Sequence, residues 1–435
     1  MRARFVTLAL ASFLVAAGCS GSASMGDGPG GHTGAGGAGA GGTATGTGGA
    51  SGTAGATGTG GMTGAGGALQ DAGRDAARDA QPDSSTTGAD AHTTGDGASD
   101  AGSGGPGVVA AGVRWFGRID ATNAAQPRFS WSGNGFVARF SGTALAAQLT
   151  NTGPFIYKAV IDGQPQPTFV TTAGQGTYPV ATGLAAGTHT VELFRQTEGS
   201  QGDSQLLGLN VTGGSLMTPP PAPARLIEII GDSISCGYGT LGMLADTDCF
   251  ASESHWDTYG AVAARTLGAD LSTVAMSGQG VYRNYGGDMN NTLPIVYTRA
   301  LTNDASPSWD FRAQPQAVII NLGTNDISNN KGDPGQPFLQ AYLGLTQMVR
   351  ARNPSAPIIC IIGPLLSGTD LTTIRNYITM VVAMRRAAGD ANIELFDMIS
   401  TQTADKAACA YHPNPAENQI MAGLLVTELR ARLGW

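Results

Sequence analysis

Four residues in the last half of the chain have the types needed for acyl transfer. They are Ser233 in Gly231-Asp232-Ser233, Gly278 in Ser277-Gly278-Gln279, Asn325 in Gly323-Thr324-Asn325-Asp326, and His412 before Pro413. Ester hydrolysis through a serine needs a nucleophile, a base within hydrogen-bond reach and donors aimed at the oxyanion that develops. Ser233 supplies the hydroxyl. Histidine is the side chain suited to be its base near neutral pH, and beyond residue 224 only His255 and His412 are available. His255 opens a predicted helix with Trp256 and Tyr259 and reads as a polar helix-start residue, whereas His412 sits in an irregular stretch before the last helix. The backbone N–H of Gly278 and the amide of Asn325 are candidate oxyanion donors; Asp232 and Asp326 read as structural. Each motif alone is weak, since Gly-Asp-Ser is more often a turn and Asn a turn cap.

Position strengthens them. The apolar run Leu226-Ile227-Glu228-Ile229-Ile230 predicts a buried parallel strand that ends at Ser233, and Ala317-Val318-Ile319-Ile320-Asn321-Leu322 predicts a second one that delivers Asn325. Reactive groups in open α/β sheets gather at such strand ends. Further strands are predicted near 271–275, 357–362 and 392–397, alternating with helical patterns over 256–267, 338–352, 371–388 and 417–433. This alternation implies a parallel sheet wrapped by helices over residues 225–435. Residues 108–216 differ. Phe136, Ala138 and Phe140 alternate with Val137 and Arg139, and turn residues such as Ser132-Gly133-Asn134-Gly135 recur. A β-sandwich of about eight or nine strands is predicted there. The Pro-rich stretch 217–224 forms a stiff linker between the two.

Composition divides the 435 residues further. Residues 19–107 are almost wholly Gly, Ala, Thr, Ser and Asp, without an aromatic, and cannot bury enough apolar surface to offset their ordering entropy. They read as a disordered tether with a reach on the order of 50 Å. The net charge of −8 comes without a basic block, which argues against nucleic-acid binding. No later run is apolar enough to span a bilayer. At the start, Arg2 and Arg4 precede the apolar stretch Phe5 to Ala17, the pattern of a signal peptide over 1–18. Ala16-Ala17-Gly18-Cys19 resembles a bacterial lipoprotein cleavage site, with Ala16 where an aliphatic residue is usual. The resemblance implies lipidation of Cys19, and Ser20 suits sorting to the outer membrane or cell surface. Export places Cys236, Cys249, Cys360 and Cys409 in an oxidising compartment, where three pairings exist. Cys236 with Cys249 is favoured, because they bracket the loop after Ser233. Cys360 either pairs with Cys409 or stays free in its apolar strand.

The longer strings Gly231-Asp232-Ser233-Ile234-Ser235-Cys236-Gly237-Tyr238-Gly239, Ser277 to Tyr285 and Tyr411-His412-Pro413-Asn414 resemble the SGNH or GDSL hydrolases, and within them carbohydrate esterase family two. The resemblance covers 108–435. It implies an α/β fold, an SGNH-type parallel sheet flanked by helices, preceded by a small all-β sandwich of jelly-roll type. It implies Ser233 as nucleophile, His412 as general base, and the backbone of Ser233 with Gly278 and Asn325 as oxyanion hole. The implied reaction is removal of acetyl groups from plant polysaccharides such as xylan or mannan. In the superfamily an aspartate usually stands three positions before the histidine; Cys409 stands there here. A backbone carbonyl near Cys409 or Ala410 is then expected to orient the ring, with Asp397 and Asp405 as other candidates.

A lipase, thioesterase or peptidoglycan O-acetylesterase of the same superfamily would use the same four residues. A surface carbohydrate-binding protein without turnover is the reading from another class, motivated by the missing aspartate. Trp256, Tyr282 and Tyr285 lie near the motifs and are candidates for stacking on sugar, or for core packing. The expected partner is acetylated polysaccharide or oligosaccharide, the expected state a monomer. No cofactor is implied, and no Cys and His spacing suggests a metal.

Overall fold

A computed structural model of the chain describes residues 112–398 and 404–435. The predicted signal segment 1–18, Cys19, the tether 19–107 and the first residues of the predicted sandwich lie outside the described residues. The first part is built from β1 (Val113–Phe116), β2 (Arg128–Phe129), β3 (Gly135–Gly142), β4 (Ala144–Asn151), β5 (Ile156–Ile161), β6 (Gln164–Val170), β7 (Gly174–Ala181), β8 (Gly187–Arg195), β9 (Ser204–Thr212) and β10 (Ser215–Met217). One antiparallel sheet has the order β1-β3-β8-β5-β6, with β10 also on β3, and the other the order β2-β9-β4-β7. Residues of both, among them Trp115, Phe136 and Phe140 from one and Phe129, Leu145 and Leu149 from the other, share one core. The very short β2 and β10 account for the excess over the predicted strand count.

Alternation fails at one instructive place. Val137, expected on the polar face of β3, is buried. It pairs in register with Arg114 of β1 and Glu192 of β8, and Arg114 Nη1 bonds Asp270 Oδ2 at 2.5 Å. At Val137 this face is turned to the second part of the molecule, while Arg139, further along it, is exposed.

That second part contains β11 (Leu226–Gly231), α1 (Ser233–Cys236), α2 (Tyr259–Leu267), β12 (Asp270–Ala275), α3 (Leu293–Val296), β13 (Ala317–Asn321), α4 (Thr324–Ile327), α5 (Gly335–Arg352), β14 (Ile358–Ile361), α6 (Gly368–Ala387), β15 (Ile393–Phe396) and α7 (Pro415–Leu433). All five strands run parallel in the order β12-β11-β13-β14-β15. The strand order reverses at β11, so β11 and β13 flank the crevice where doubly wound sheets bind ligands. Successive side chains of a strand point to opposite faces. Accordingly Ile227, Ile229 and Ile319 pack on α2 and α7, while Ile230, Val318 and Ile320 pack on α5 and α6. The predicted helix 256–267 is two pieces. Thr258 is extended and accepts a bond from Ala261 N through its hydroxyl, so α2 starts only at Tyr259.

Glu228 is the odd residue in β11, a carboxylate in an apolar run. Arg118, fully buried and carried by the sandwich, reaches it at 3.2 Å, and the Tyr297 hydroxyl donates to its other oxygen at 2.8 Å. The guanidinium also lies over the rings of Tyr297 and Phe311. A buried charge is tolerated only when paired and hydrogen-bonded, and here the partner comes from the other half of the fold. Trp131 Nε1 likewise donates to the Ala300 carbonyl at 3.0 Å.

Candidate active site

Ser233 opens α1 directly after β11. The close start depends on Gly231, where a Cβ would stand 2.2 Å from Ser235 Oγ. Asp232 caps α1 by accepting from Ile234 N at 3.1 Å, and burial lifts its carboxyl to about 7. Gly278 follows β12 with φ 76°, a conformation that favours glycine. Asn325 follows β13 within α4. His412 arrives from the far end of the chain, just before α7, whose first turn is capped by Asn414 Oδ1 accepting from Glu417 N at 3.0 Å. These four residues line one cleft of about 460 Å³ together with Tyr238, Phe250, Ser277, Tyr285, Thr324 and Leu365.

His412 Nε2 lies 2.7 Å from Ser233 Oγ, and its Nδ1 lies 3.2 Å from the Cys409 carbonyl. A carbonyl can only accept, so Nδ1 carries the proton and Nε2 is left to accept from the serine hydroxyl. Burial holds the imidazole down at about 4, against the carbonyls of Cys409 and Ala410, which favour the charged form. Burial wins, and the ring is neutral at pH 7. The carbonyl is aimed by an unusual turn in which Ala410 and Tyr411 both have left-handed φ, 51° and 64°. Cys409 is in addition bridged to Cys249 by a disulfide.

That bridge corrects the expected pairing. Cys249 joins Cys409, not Cys236, and both Cys236 and Cys360 are buried free thiols. Sequence proximity favoured Cys236, but its side chain ends α1 and turns towards Glu198, 2.8 Å away. Asp397 pairs with Arg375, and neither it nor Asp405 lines the cleft.

Asn325 Nδ2 donates to the Gln279 carbonyl at 2.8 Å and approaches Asp232 Oδ2 at 3.4 Å. Asp326 beside it accepts from three successive backbone N–H groups, Val281, Tyr282 and Arg283, and so shapes the loop after Gly278. Of the aromatic candidates only Tyr285 lines the cleft, 58% exposed, with its N–H donating to the Gly278 carbonyl at 2.7 Å. Tyr282 packs against the core instead. Trp256 lies between the two parts of the molecule, edge-on to Phe194 and under Arg265 at 3.7 Å. His255 is buried beside it, bonded through Nε2 to Thr273 Oγ1 at 2.8 Å, and burial pushes it down to about 3.

Sequence reasoning missed Tyr238, whose ring stands edge-on to His412 at 5.1 Å and to Phe250 at 4.9 Å. A signal existed, since Gly237 and Gly239 on either side mark a tight turn that holds it against the cleft. It also missed Glu198, which reaches the underside of the site from the sandwich. Chemically, the arrangement offers a hydroxyl bonded to a neutral imidazole, with Gly278 and Asn325 lining the same cleft.

Both described parts of the chain are similar to known proteins. Residues 115–221 match the family model described as carbohydrate esterase 2 N-terminal, and residues 229–420 match the GDSL-like lipase/acylhydrolase family. The chain is 35% identical over 326 residues to the cellulase/esterase CelE of Acetivibrio thermocellus, a match spanning 74% of this chain and 40% of that protein's length. It is 27% identical over 319 residues to an acetylxylan esterase / glucomannan deacetylase of Cellvibrio japonicus, covering 70% of this chain and 86% of that one. Among solved structures it resembles a family two carbohydrate esterase from Clostridium thermocellum in complex with cellohexaose. There the TM-score is 0.72 and the identity 35%, over 74% of this chain and 100% of that one.

Proposed function

The chain belongs to the family two carbohydrate esterases, and on that premise we propose that it is a serine esterase that removes acetyl groups from plant cell-wall polysaccharide, xylan or mannan. The observation that carries this reading is the 2.7 Å contact between Ser233 Oγ and a neutral His412 whose other nitrogen is held by a backbone carbonyl. The names of the Cellvibrio relatives support the substrate class.

In the proposed cycle Ser233 Oγ attacks the acetyl carbonyl as His412 Nε2 takes its proton. The oxyanion of the tetrahedral intermediate is met by the N–H groups of Ser233 and Gly278 and by Asn325 Nδ2, which gives up its weaker contact to Asp232. Imidazolium is stabilised by the Cys409 carbonyl in the role an aspartate usually has. His412 then protonates the departing sugar oxygen, leaving an acetyl-enzyme, and water repeats the two steps to release acetate. Tyr285, exposed at the cleft, is the residue we assign to the sugar. In the same reading the chain acts as an exported monomer anchored to the outer membrane or cell surface through lipidated Cys19, with residues 19–107 as tether. This part rests on the sequence pattern alone.

The test is acetate release from acetylated xylan and glucomannan, with 4-nitrophenyl acetate as control, for the wild type and Ser233→Ala. The wild type should release acetate from polysaccharide and Ser233→Ala should not. Activity on the small ester alone would replace the polysaccharide with another acyl acceptor. No activity on any ester would leave the binding-protein reading. Asn325→Ala should lower turnover on the order of 10² to 10³-fold.

A further inference from the structure

Glu198 belongs to the sandwich, in the turn between β8 and β9, yet its carboxylate lies under the cleft and is fully buried. One oxygen, Oε2, accepts from Ser277 N at 2.9 Å and from the Cys236 thiol at 2.8 Å. Ser277 immediately precedes Gly278, and Cys236 closes the single helical stretch that Ser233 opens. A single carboxylate oxygen therefore ties together the two backbone segments that bring Gly278 and Ser233 to the cleft. The other oxygen accepts from the Ser200 hydroxyl.

The turn that carries Glu198 is itself held firmly. Buried Arg195 donates from Nε to the Thr197 carbonyl at 2.9 Å, and from Nη2 to the carbonyls of Glu198 at 3.3 Å and Gly202 at 2.7 Å. The Glu198 N–H donates to Glu253 Oε2 at 3.0 Å. Glu253 is pushed up to about 9 by burial and then by the neighbouring charge of Glu198, so it keeps its proton at neutral pH. Glu253 thus spends its Oε2 on the Glu198 backbone, and the Glu198 side chain is left to accept from Ser277 N and Cys236.

We propose that Glu198 is a positioning residue of the esterase site, supplied by the sandwich. It holds Ser277-Gly278 and the end of α1 so that the N–H groups of Gly278 and Ser233 converge on one point. This rests on the reading of that point as the oxyanion position. The sandwich is then a component of the active site as well as a wall beside it. Misplacing a donor by about 1 Å can cost on the order of 10²-fold. The acceptor function needs only an oxygen at the Oε2 position, not a charge.

The experiment measures kcat and KM on 4-nitrophenyl acetate, with thermal midpoints, for the full chain and its Glu198→Ala, Glu198→Gln and Glu198→Asp variants. Glu198→Ala should lower kcat by about 10- to 100-fold with KM within about twofold of wild type. Glu198→Gln, which can place its carbonyl oxygen at the same point, should recover most of that loss. Glu198→Asp keeps the carboxyl group but withdraws it by one methylene, and should lose kcat even where Glu198→Ala fails to fold. Wild-type kcat in a folded Glu198→Ala or in Glu198→Asp overturns the proposal, as does a Glu198→Gln no better than Glu198→Ala. A wild type without esterase activity, or an equally active Ser233→Ala, overturns instead the reading on which it rests.

Discussion

His412 turns its Nδ1 to the carbonyl of Cys409 at 3.2 Å, and Cys409 is the residue that a disulfide ties to Cys249. Cys249 belongs to the loop that follows α1, which also carries Tyr238 and Phe250 to the cleft. The bridge therefore joins the loop behind Ser233 to the turn that aims His412. Gly239 and Gly242 make room for it, since a Cβ at either would stand 2.8 or 2.9 Å from Cys409 Cβ. A covalent tether on the residue that supplies this carbonyl would, in the proposed mechanism, do by position what a buried aspartate does by charge.

Breaking that bridge should slow the chemistry more than it weakens binding. We expect Cys249→Ser with Cys409→Ser to lower kcat by about 10-fold with little change in KM, because only the orientation of His412, the proposed base, is loosened. Reduction of the native disulfide should have the same effect and reoxidation should reverse it. Kinetics alongside thiol titration check this; full kcat with the bridge demonstrably open would show that the turn holds its shape unaided.

The pH profile should reach unusually far into acid. In the proposed mechanism His412 is the general base; such a base works while it is neutral, so activity is lost as pH falls through its pKa, and burial holds His412 down at about 4 instead of the ordinary 6.5. The acid limb of kcat/KM should thus lie well below pH 6.5, provided the fold persists. An acid midpoint at 6.5 in a protein still folded at pH 5 would mean that water reaches the ring far more freely than its burial implies.

Asp326 should matter for stability more than its neighbour Asn325. Its carboxylate accepts from Val281, Tyr282 and Arg283 N–H groups, and a Cβ on Gly280 would collide with the Arg283 carbonyl, so the loop is tightly drawn around it. Asp326→Ala would leave one buried and two part-buried backbone donors without their acceptor, a loss of about 1 to 3 kcal/mol. Denaturant unfolding of Asp326→Ala beside Asn325→Ala checks the contrast, with the second variant expected to lose activity but little stability.

Tyr285 and Trp256 should separate cleanly by substrate. Tyr285→Ala should raise KM on acetylated polysaccharide several-fold, in line with about 1 kcal/mol for one exposed stacking contact, and leave 4-nitrophenyl acetate almost unaffected. Trp256→Ala should instead lower the thermal midpoint, because its ring fills the space between Phe194, Lys158 and Arg265. A polysaccharide-specific loss in Trp256→Ala would contradict the assignment.

Much of the fold was legible in the chain itself. The runs 226–230 and 317–322 were apolar enough to be buried strands, and the polar motif after each lies at the edge of the sheet as expected. Such features are local, because hydrophobic periodicity and turn residues act over a few positions. Val137, Glu228 and Trp256 escaped that logic, since each lies where the sandwich meets the second part of the molecule, beside the Arg114–Asp270, Arg118–Glu228 and Phe194–Trp256 contacts that no window of sequence contains.

The four residues of the candidate site, read from motif order, could be named without a structure; their mutual orientation could not. Proximity along the chain favoured Cys236 as the partner of Cys249, yet Cys249 pairs with Cys409 across a separation of 160 residues. The carbonyl that selects the His412 tautomer, and the Glu198 carboxylate drawn under the cleft from the sandwich, are likewise products of packing between distant segments. Residue type limits which chemistry is available, but distance and direction between groups far apart in the chain arise only when burial of the apolar faces forces those segments together.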